Sequence, residues 1–184
     1  MASRRTRHRK PLQPIYIGVG SNLHPQREIR AGLTLLAARF GRIEVSPAYR
    51  CAAIGVSAPA FINLVVRIDS AQRPERIVAQ LRALEDLREP LRRKRRSAGP
   101  RKLDLDLLLH GANRNDSADL QLPRADASAC AYALWPLADI AGGATHPLLR
   151  QTYRSLRMQF ANAQRLRRLP FIWRGRALPV RGNR

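Results

Sequence analysis

The segment Leu103-Asp-Leu-Asp-Leu-Leu-Leu-His110 constrains the fold more than any other stretch of the chain. Successive side chains leave a strand on opposite faces, so alternation of period two reads as a strand. Leu103, Leu105 and Leu107 share one face. Asp104 and Asp106 share the other, about 6–7 Å apart along the strand. Two carboxylates so placed repel each other, and left unpaired on a sheet each tends to hold its proton. A divalent cation removes that cost. Magnesium takes hard oxygen ligands, commonly one or two carboxylates plus substrate phosphates, and two such ions can clamp a phosphate chain. D-x-D is common, and by itself it reads better as two solvated aspartates on an edge strand than as a metal site. The flanks shift the balance, because Gly99-Pro100 places Arg101 three residues before Asp104 and the run Arg92, Arg93, Lys94, Arg95, Arg96 precedes it. Acidic metal ligands beside guanidinium groups are what phosphoryl transfer requires, since a planar guanidinium binds phosphate oxygens in pairs.

The rest of the chain supplies a frame for that strand. Pro14 to Gly20 reads as a buried strand ending in a turn. Pro25 to Phe40 carries Ile29, Leu33, Leu36, Ala37 and Phe40 at helical spacing and stops at Gly41. Arg42 to Ala53 reads as a second strand and Phe61 to Ile68 as a third. Pro74 opens a second helix whose buried face is Ile77, Leu81, Leu84 and Leu87. The order β-α-β-β-α-β predicts an α+β, ferredoxin-like βαββαβ sandwich. Additional C-terminal elements follow: an extended piece over 132–137 and a peripheral helix over 147–162, after an irregular 111–131. The expected organisation is a basic disordered tail over 1–13, one domain over 14–162, and a loosely ordered basic extension over 163–184.

Composition narrows the partners. The 34 Lys+Arg against 13 Asp+Glu give a formal charge of +21, which attracts polyanions such as nucleotides without specifying a fold. No run of 18 apolar residues is present, so no membrane span is expected. The N-terminal basic run has no apolar segment behind it and is not a secretory signal. Cys51 and Cys130 have neither metal-ligand spacing nor a disulfide framework and read as small buried residues in a reducing compartment. A cytoplasmic location is expected. His8, His24, His110 and His146 read as incidental, partly exposed residues.

Six pieces stand in one order: Gly18-x-Gly-Ser-Asn-Leu23, Tyr49-Arg50, Pro59-x-Phe-x-Asn63, Gly99-Pro-Arg-x-x-Asp-x-Asp106, Leu122-Pro123 and Trp135-Pro-Leu-Ala-x-Ile140. In these motifs and their spacing the chain resembles the 6-hydroxymethyl-7,8-dihydropterin pyrophosphokinase family over roughly residues 14–150. The resemblance implies a ferredoxin-like α+β fold, ATP as diphosphate donor and two magnesium ions. The pterin's hydroxymethyl oxygen attacks the β-phosphorus of ATP and AMP leaves, a step in folate biosynthesis. By the same resemblance Asp104 and Asp106 bind both metals, and Arg101 contacts the triphosphate, with Arg92 and Arg93 as further nucleotide contacts. A loop over Pro90 to Ala98 closes on the substrates. Phe61 and Tyr132 sandwich the pterin, Asn63 reads its polar edge, and Ile54 offers backbone groups. The expected partners are these two small molecules, with no membrane, no nucleic acid and a monomeric chain. The sequence departs from the family pattern mostly on the nucleotide side. Ala98 stands where Trp is usual, Ser97 and Cys130 where Arg is usual, Arg124 where His is usual, and Cys51 where Thr is usual.

Two other readings compete. One is a divergent paralogue that binds a pterin but transfers diphosphate weakly. The other is a basic nucleic-acid-binding module, which the charge and the element order invite. RNA readers of this topology present stacking aromatics on central strands, whereas this chain presents Asp104 and Asp106.

Overall fold

The computed structural model describes residues 11–52, 59–90, 101–117, 119–161 and 165–179. The first part of the chain runs β1 (Gln13–Ser21), α1 (Pro25–Phe40), β2 (Glu44–Val45), β3 (Ala48–Cys51), β4 (Phe61–Ser70), α2 (Pro74–Arg88) and β5 (Asp104–His110). The expected βαββαβ order is therefore present, with the second strand divided in two. Pro47, which has no N–H to give a ladder, sits between β2 and β3. Then come β6 (Asn115–Ser117), β7 (Leu120–Leu122), α3 (Asp126–Ala129), α4 (Ala131–Ala141), α5 (Tyr153–Met158), β8 (Leu166–Leu169), β9 (Ile172–Trp173) and β10 (Arg176–Ala177). The main sheet has six strands in the order β5-β1-β4-β3-β8, with β2 also on β4. Every pairing in it is antiparallel.

Alternation sorts the side chains of β1 to the two faces. Ile15, Ile17 and Val19 join Leu64, Val66, Leu105 and Leu107 in a core under α1 and α2. Those helices contribute Ile29, Leu33 and Leu36 from α1 and Ile77, Leu81 and Leu84 from α2, all at helical spacing. Leu103 is seated against α1 at Gly32, where a Cβ would stand 2.7 Å from a Leu103 methyl. Gly41, at φ 82°, closes α1 with its N–H on the Ala37 carbonyl. On the opposite face Tyr16, Val65, Leu108 and Leu109 meet Leu134 and Leu137 of α4 and Tyr153 of α5. A register shift between Tyr16 and Ile17 leaves Leu108 as the extra residue, so that Leu109 joins Leu108 in this second cluster.

Several expectations are corrected. Residues 132–137 are helical, not extended, because Ala131, Leu134 and Leu137 form a 3-to-4-spaced stripe that buries on the sheet. The helix expected over 147–162 is confined to 153–158, capped by the Thr152 hydroxyl accepting from Ser155 N–H. The stretch read as irregular holds the β6–β7 hairpin and α3. Leu87, placed on the buried face of α2, is 66% exposed. The inward position at that end goes to Glu85, whose carboxylate accepts the Leu105 N–H at 2.7 Å. That bond satisfies a donor of the edge strand β5. His110 and His146 are buried and hydrogen-bonded, His110 to the Gln72 carbonyl and His146 to the N–H groups of Leu148 and Leu149. Cys51 is buried as expected, while Cys130 is half-buried.

Residues 165–179 are built into the fold, not appended to it. β8 pairs with β3 from Ala48↔Leu169 to Cys51↔Leu166. The buried Asp139 of α4 holds this edge: it binds Arg157 and Arg168 at 2.7 Å each and accepts the Tyr49 hydroxyl. Burial, then the Asp139 bond, push the Tyr49 hydroxyl up to about 12. Phe171 and Leu178 complete the core beneath α1. At the other end β1 begins at Gln13, inside the segment read as tail. Phe171 is 2% exposed, so Phe171→Ala is expected to cost ~3–5 kcal/mol in urea unfolding. A stability equal to wild type would restore the picture of a separate extension.

Candidate active site

The functional cleft lies over the end of β1, where the sequence has removed side chains. Gly18 and Gly20 both face away from the α1–α2 core. Gly20 is opposite Asn63 on β4 and Asp104 on β5; Gly18 is opposite Val65 and Asp106. The central strand therefore offers bare backbone between Asn63 on one side and Asp104 and Asp106 on the other. A Cβ on Gly20 would stand 2.8 Å from the Asn63 Oδ1, closer than a carbon and an oxygen tolerate. Asn63, Asp104, Asp106, Asp126 and Tyr132 line this cleft.

The turn after β1 fixes Arg101. The Asn22 and Leu23 N–H groups both donate to the Arg101 carbonyl, at 3.1 and 3.2 Å. The Ser21 hydroxyl donates to the same oxygen at 3.3 Å. The Asn22 side chain accepts the Arg101 N–H at 2.6 Å and donates to the Pro59 carbonyl at 3.3 Å. One buried asparagine thus joins the ends of three segments, and the Gly-Ser-Asn motif does more than turn the chain. With its backbone held, Arg101 lays Nη1 2.7 Å from the Asp104 carboxylate.

Asp104 and Asp106 share the cleft face as their alternation predicts. They are neither turned apart nor sealed off: their side chains are 22% and 34% exposed. Asp106 has a second arginine, Arg124, whose Nη1 lies 3.3 Å away while its Nε donates to Asp126 at 3.0 Å. Burial, and then the neighbouring Asp104 charge, push the Asp106 carboxyl up to about 6; Arg124 opposes the rise. Asp106 is thus held toward its protonated form even with Arg124 beside it. Among the described residues no group of three or more His, Cys, Asp or Glu is placed to hold a metal by itself. An ion here would take two carboxylates from the protein and the remainder from a phosphate chain and water, as magnesium commonly does.

On the other side of Gly20, the Asn63 Nδ2 donates to the Cys51 sulfur at 3.2 Å. Burial pushes that thiol up to about 11, so Cys51 acts as a neutral acceptor. Phe61 is half-buried and shares the Asn63 face, its Cδ1 3.9 Å from where a Gly20 Cβ would be. Tyr132 reaches the cleft from the first turn of α4. Burial, followed by the Asp126 charge, raises its hydroxyl well above the ordinary range. Ile54, Arg92 and Arg93 lie outside the described residues, as does the loop from 91 to 98. Three residues were not singled out as site residues from sequence. Glu85 was hidden in a helical stripe. Arg124 and Asp126 follow Leu122-Pro123, where a departure at 124 was the available signal.

Comparison with known proteins gives the family and the fold. The model of the 7,8-dihydro-6-hydroxymethylpterin-pyrophosphokinase family matches residues 16–142. This chain belongs to that family. A 2-amino-4-hydroxy-6-hydroxymethyldihydropteridine pyrophosphokinase of Pseudomonas aeruginosa is 35% identical over 134 residues, 71% of this chain and 82% of the relative. The Haemophilus influenzae protein of that name is 28% identical over 84% of this chain and 98% of its own length. A crystal structure of a Plasmodium falciparum HPPK-DHPS triple mutant superposes with TM-score 0.63 at 12% identity, over 79% of this chain and 42% of that one, and shares the fold.

The Asp106 shift has a definite sign. Its folded value of about 6 lies above the roughly 3.9 of an unfolded aspartate. Folding therefore favours the protonated form, and stability is lost as pH rises from about 4 through 6. Asp106→Asn removes that penalty. In chelator, its melting temperature is expected to pull ahead of wild type over this window and stay ahead by several degrees above pH 7. A gap independent of pH would contradict the shift.

Proposed function

We propose that this chain carries out its family's pterin pyrophosphokinase reaction of folate biosynthesis with Asp104 and Asp106 as metal-binding carboxylates and Arg101 as the cation on the triphosphate. One observation carries the reading: Asp104 and Asp106 line the same cleft as Asn63 and Tyr132, with only glycine backbone between the two sides. A donor phosphate and an acceptor alcohol bound on those sides meet over Gly18 and Gly20.

The chemistry is a displacement at phosphorus. The hydroxymethyl oxygen of the pterin bonds to the β-phosphorus of ATP and its proton passes to solvent. The bond from that phosphorus to the oxygen shared with the α-phosphate breaks, and AMP departs. Magnesium, two ions in this proposal, supplies neutralisation of phosphate charge when bound. Asp104 and Asp106 hold it at the edge of the sheet. Arg101, anchored at its backbone, presents a guanidinium where negative charge grows on the transferred group. Asn63 orients the pterin's amide-like edge, while Phe61 and Tyr132 present aromatic faces for a flat heterocycle. Such positioning accounts for much of the acceleration in phosphoryl transfer, where little covalent work falls to the protein.

Arg92 and Arg93, with the loop over Pro90 to Ala98, remain the proposed further contacts to the nucleotide, and Ile54 a proposed backbone contact to the pterin. A cytoplasmic, monomeric enzyme is part of the same proposal; among the described residues no helix is long and apolar enough to cross a membrane. Asp104, Asp106 and Asp126 on one cleft would repel a nucleic-acid backbone and weigh against the RNA reading.

Purified protein given MgATP and 6-hydroxymethyl-7,8-dihydropterin is expected to release AMP. Asp106→Ala should lower turnover by about 100-fold or more with the fold retained. Asn63→Ala should act mainly through KM for the pterin. Normal pterin binding without AMP would establish the weakly transferring paralogue instead. In a separate comparison, Gly20→Ala should weaken pterin binding by displacing Asn63; unchanged pterin affinity would remove Asn63 from the site.

A further inference from the structure

Arg124 occupies an unusual position for a residue that neutralises a metal-binding acid. Its backbone is fixed: the N–H donates to the Leu108 carbonyl at 2.9 Å, and the preceding Leu122 is in the core. Its guanidinium is not fixed to the same degree, because the side chain is 43% exposed and is shared between two acids. The contact to Asp126 at 3.0 Å is a hydrogen bond, and the contact to Asp106 at 3.3 Å is the longer of the two. A divalent ion on Asp106 would stand beside the Arg124 guanidinium in a half-buried cleft, where the two cations repel. Asp126 gives the displaced head a second anchor that keeps it at the cleft edge.

We propose that Arg124 is an exchangeable counter-ion: it neutralises Asp106 in the empty cleft, is displaced when a divalent ion arrives with a phosphate chain, and then donates to a phosphate oxygen of that chain. This rests on the functional reading above. Asp126 sets where the head goes. Pivoting on the Nε–Asp126 bond leaves the terminal nitrogens free for an anionic oxygen beside Asp106. The same positive charge thus serves the empty state and the nucleotide-bound state. Arg124 is a phosphate-binding residue, and Asp126 is the positioning residue that acts through it.

The exchange predicts effects of opposite sign from one substitution. In Arg124→Gln, Mn²⁺ alone, titrated by electron paramagnetic resonance, is expected to bind about two- to fivefold more tightly, since a competing cation is gone. Affinity for the magnesium complex of α,β-methylene-ATP is expected to fall about tenfold or more, since a charged donor to phosphate is lost. Arg124→Lys should keep Mn²⁺ binding near wild type and recover part of the nucleotide affinity. A structural role would weaken both ligands together and lower the melting temperature. That result, or unchanged Mn²⁺ affinity in Arg124→Gln, overturns the exchange. Asp106→Asn is the control for the underlying reading: if it binds Mn²⁺ like wild type, the carboxylate assignment fails, and the exchange fails with it.

Discussion

Like charges on one strand face set the terms for the rest of this molecule. Asp104 and Asp106 are fixed on the same side by the strand period, and their neighbours Leu105 and Leu107 cannot leave the core to relieve them. The repulsion is therefore built into the register. It is met by Arg101 on one acid and Arg124 on the other, and the Asp106 carboxyl still stays well above its ordinary range. Burying a charge without full compensation is expensive, and such a deficit in an open cleft favours any divalent cation that can enter it. In the proposed reaction, the stability that β5 forgoes here would become affinity for an ion.

The positioning of that charge depends on parts that look unrelated in sequence. The Ser21-Asn22 turn holds the Arg101 backbone from the end of β1, and the Asn22 amide ties it to Pro59 at the approach to β4. Glu85 of α2 binds the N–H between the two acids. The glycines of β1 keep the floor clear between Asn63 and Asp104. Each of these features links β1, β4 or the helical layer to the acid-bearing edge, so the cleft is set by β1 and its neighbours as one unit.

Much of this was legible because period and punctuation agree. The Leu/Asp alternation of 103–107, the helical stripes of Ile29-Leu33-Leu36 and Ile77-Leu81-Leu84, the helix start at Pro74 and the stop at Gly41 each carry local signals that the tertiary structure does not override. What stayed hidden was non-local. Leu87 is exposed while Glu85 turns inward to an N–H of β5, and no pattern within α2 announces that. Residues 132–137 read as extended, yet they lie within a helix from Ala131 to Ala141, where Pro136, on the sixth residue, is tolerated inside a buried stripe. β8 is short and arginine-rich, and its place on the sheet is set by Asp139, Tyr49 and Arg168 from three separate elements. Arg124 and Asp126 matter only because the chain returns to β5 after Leu122-Pro123.

The account turns on where a divalent ion sits. The most direct measurement is anomalous diffraction from crystals grown with Mn²⁺ and α,β-methylene-ATP. A peak within coordination distance of both the Asp104 and Asp106 carboxylates, bridging them to the phosphates, is the predicted result. A bound nucleotide whose ion lies elsewhere, with Asp104 and Asp106 still paired to Arg101 and Arg124, would contradict it.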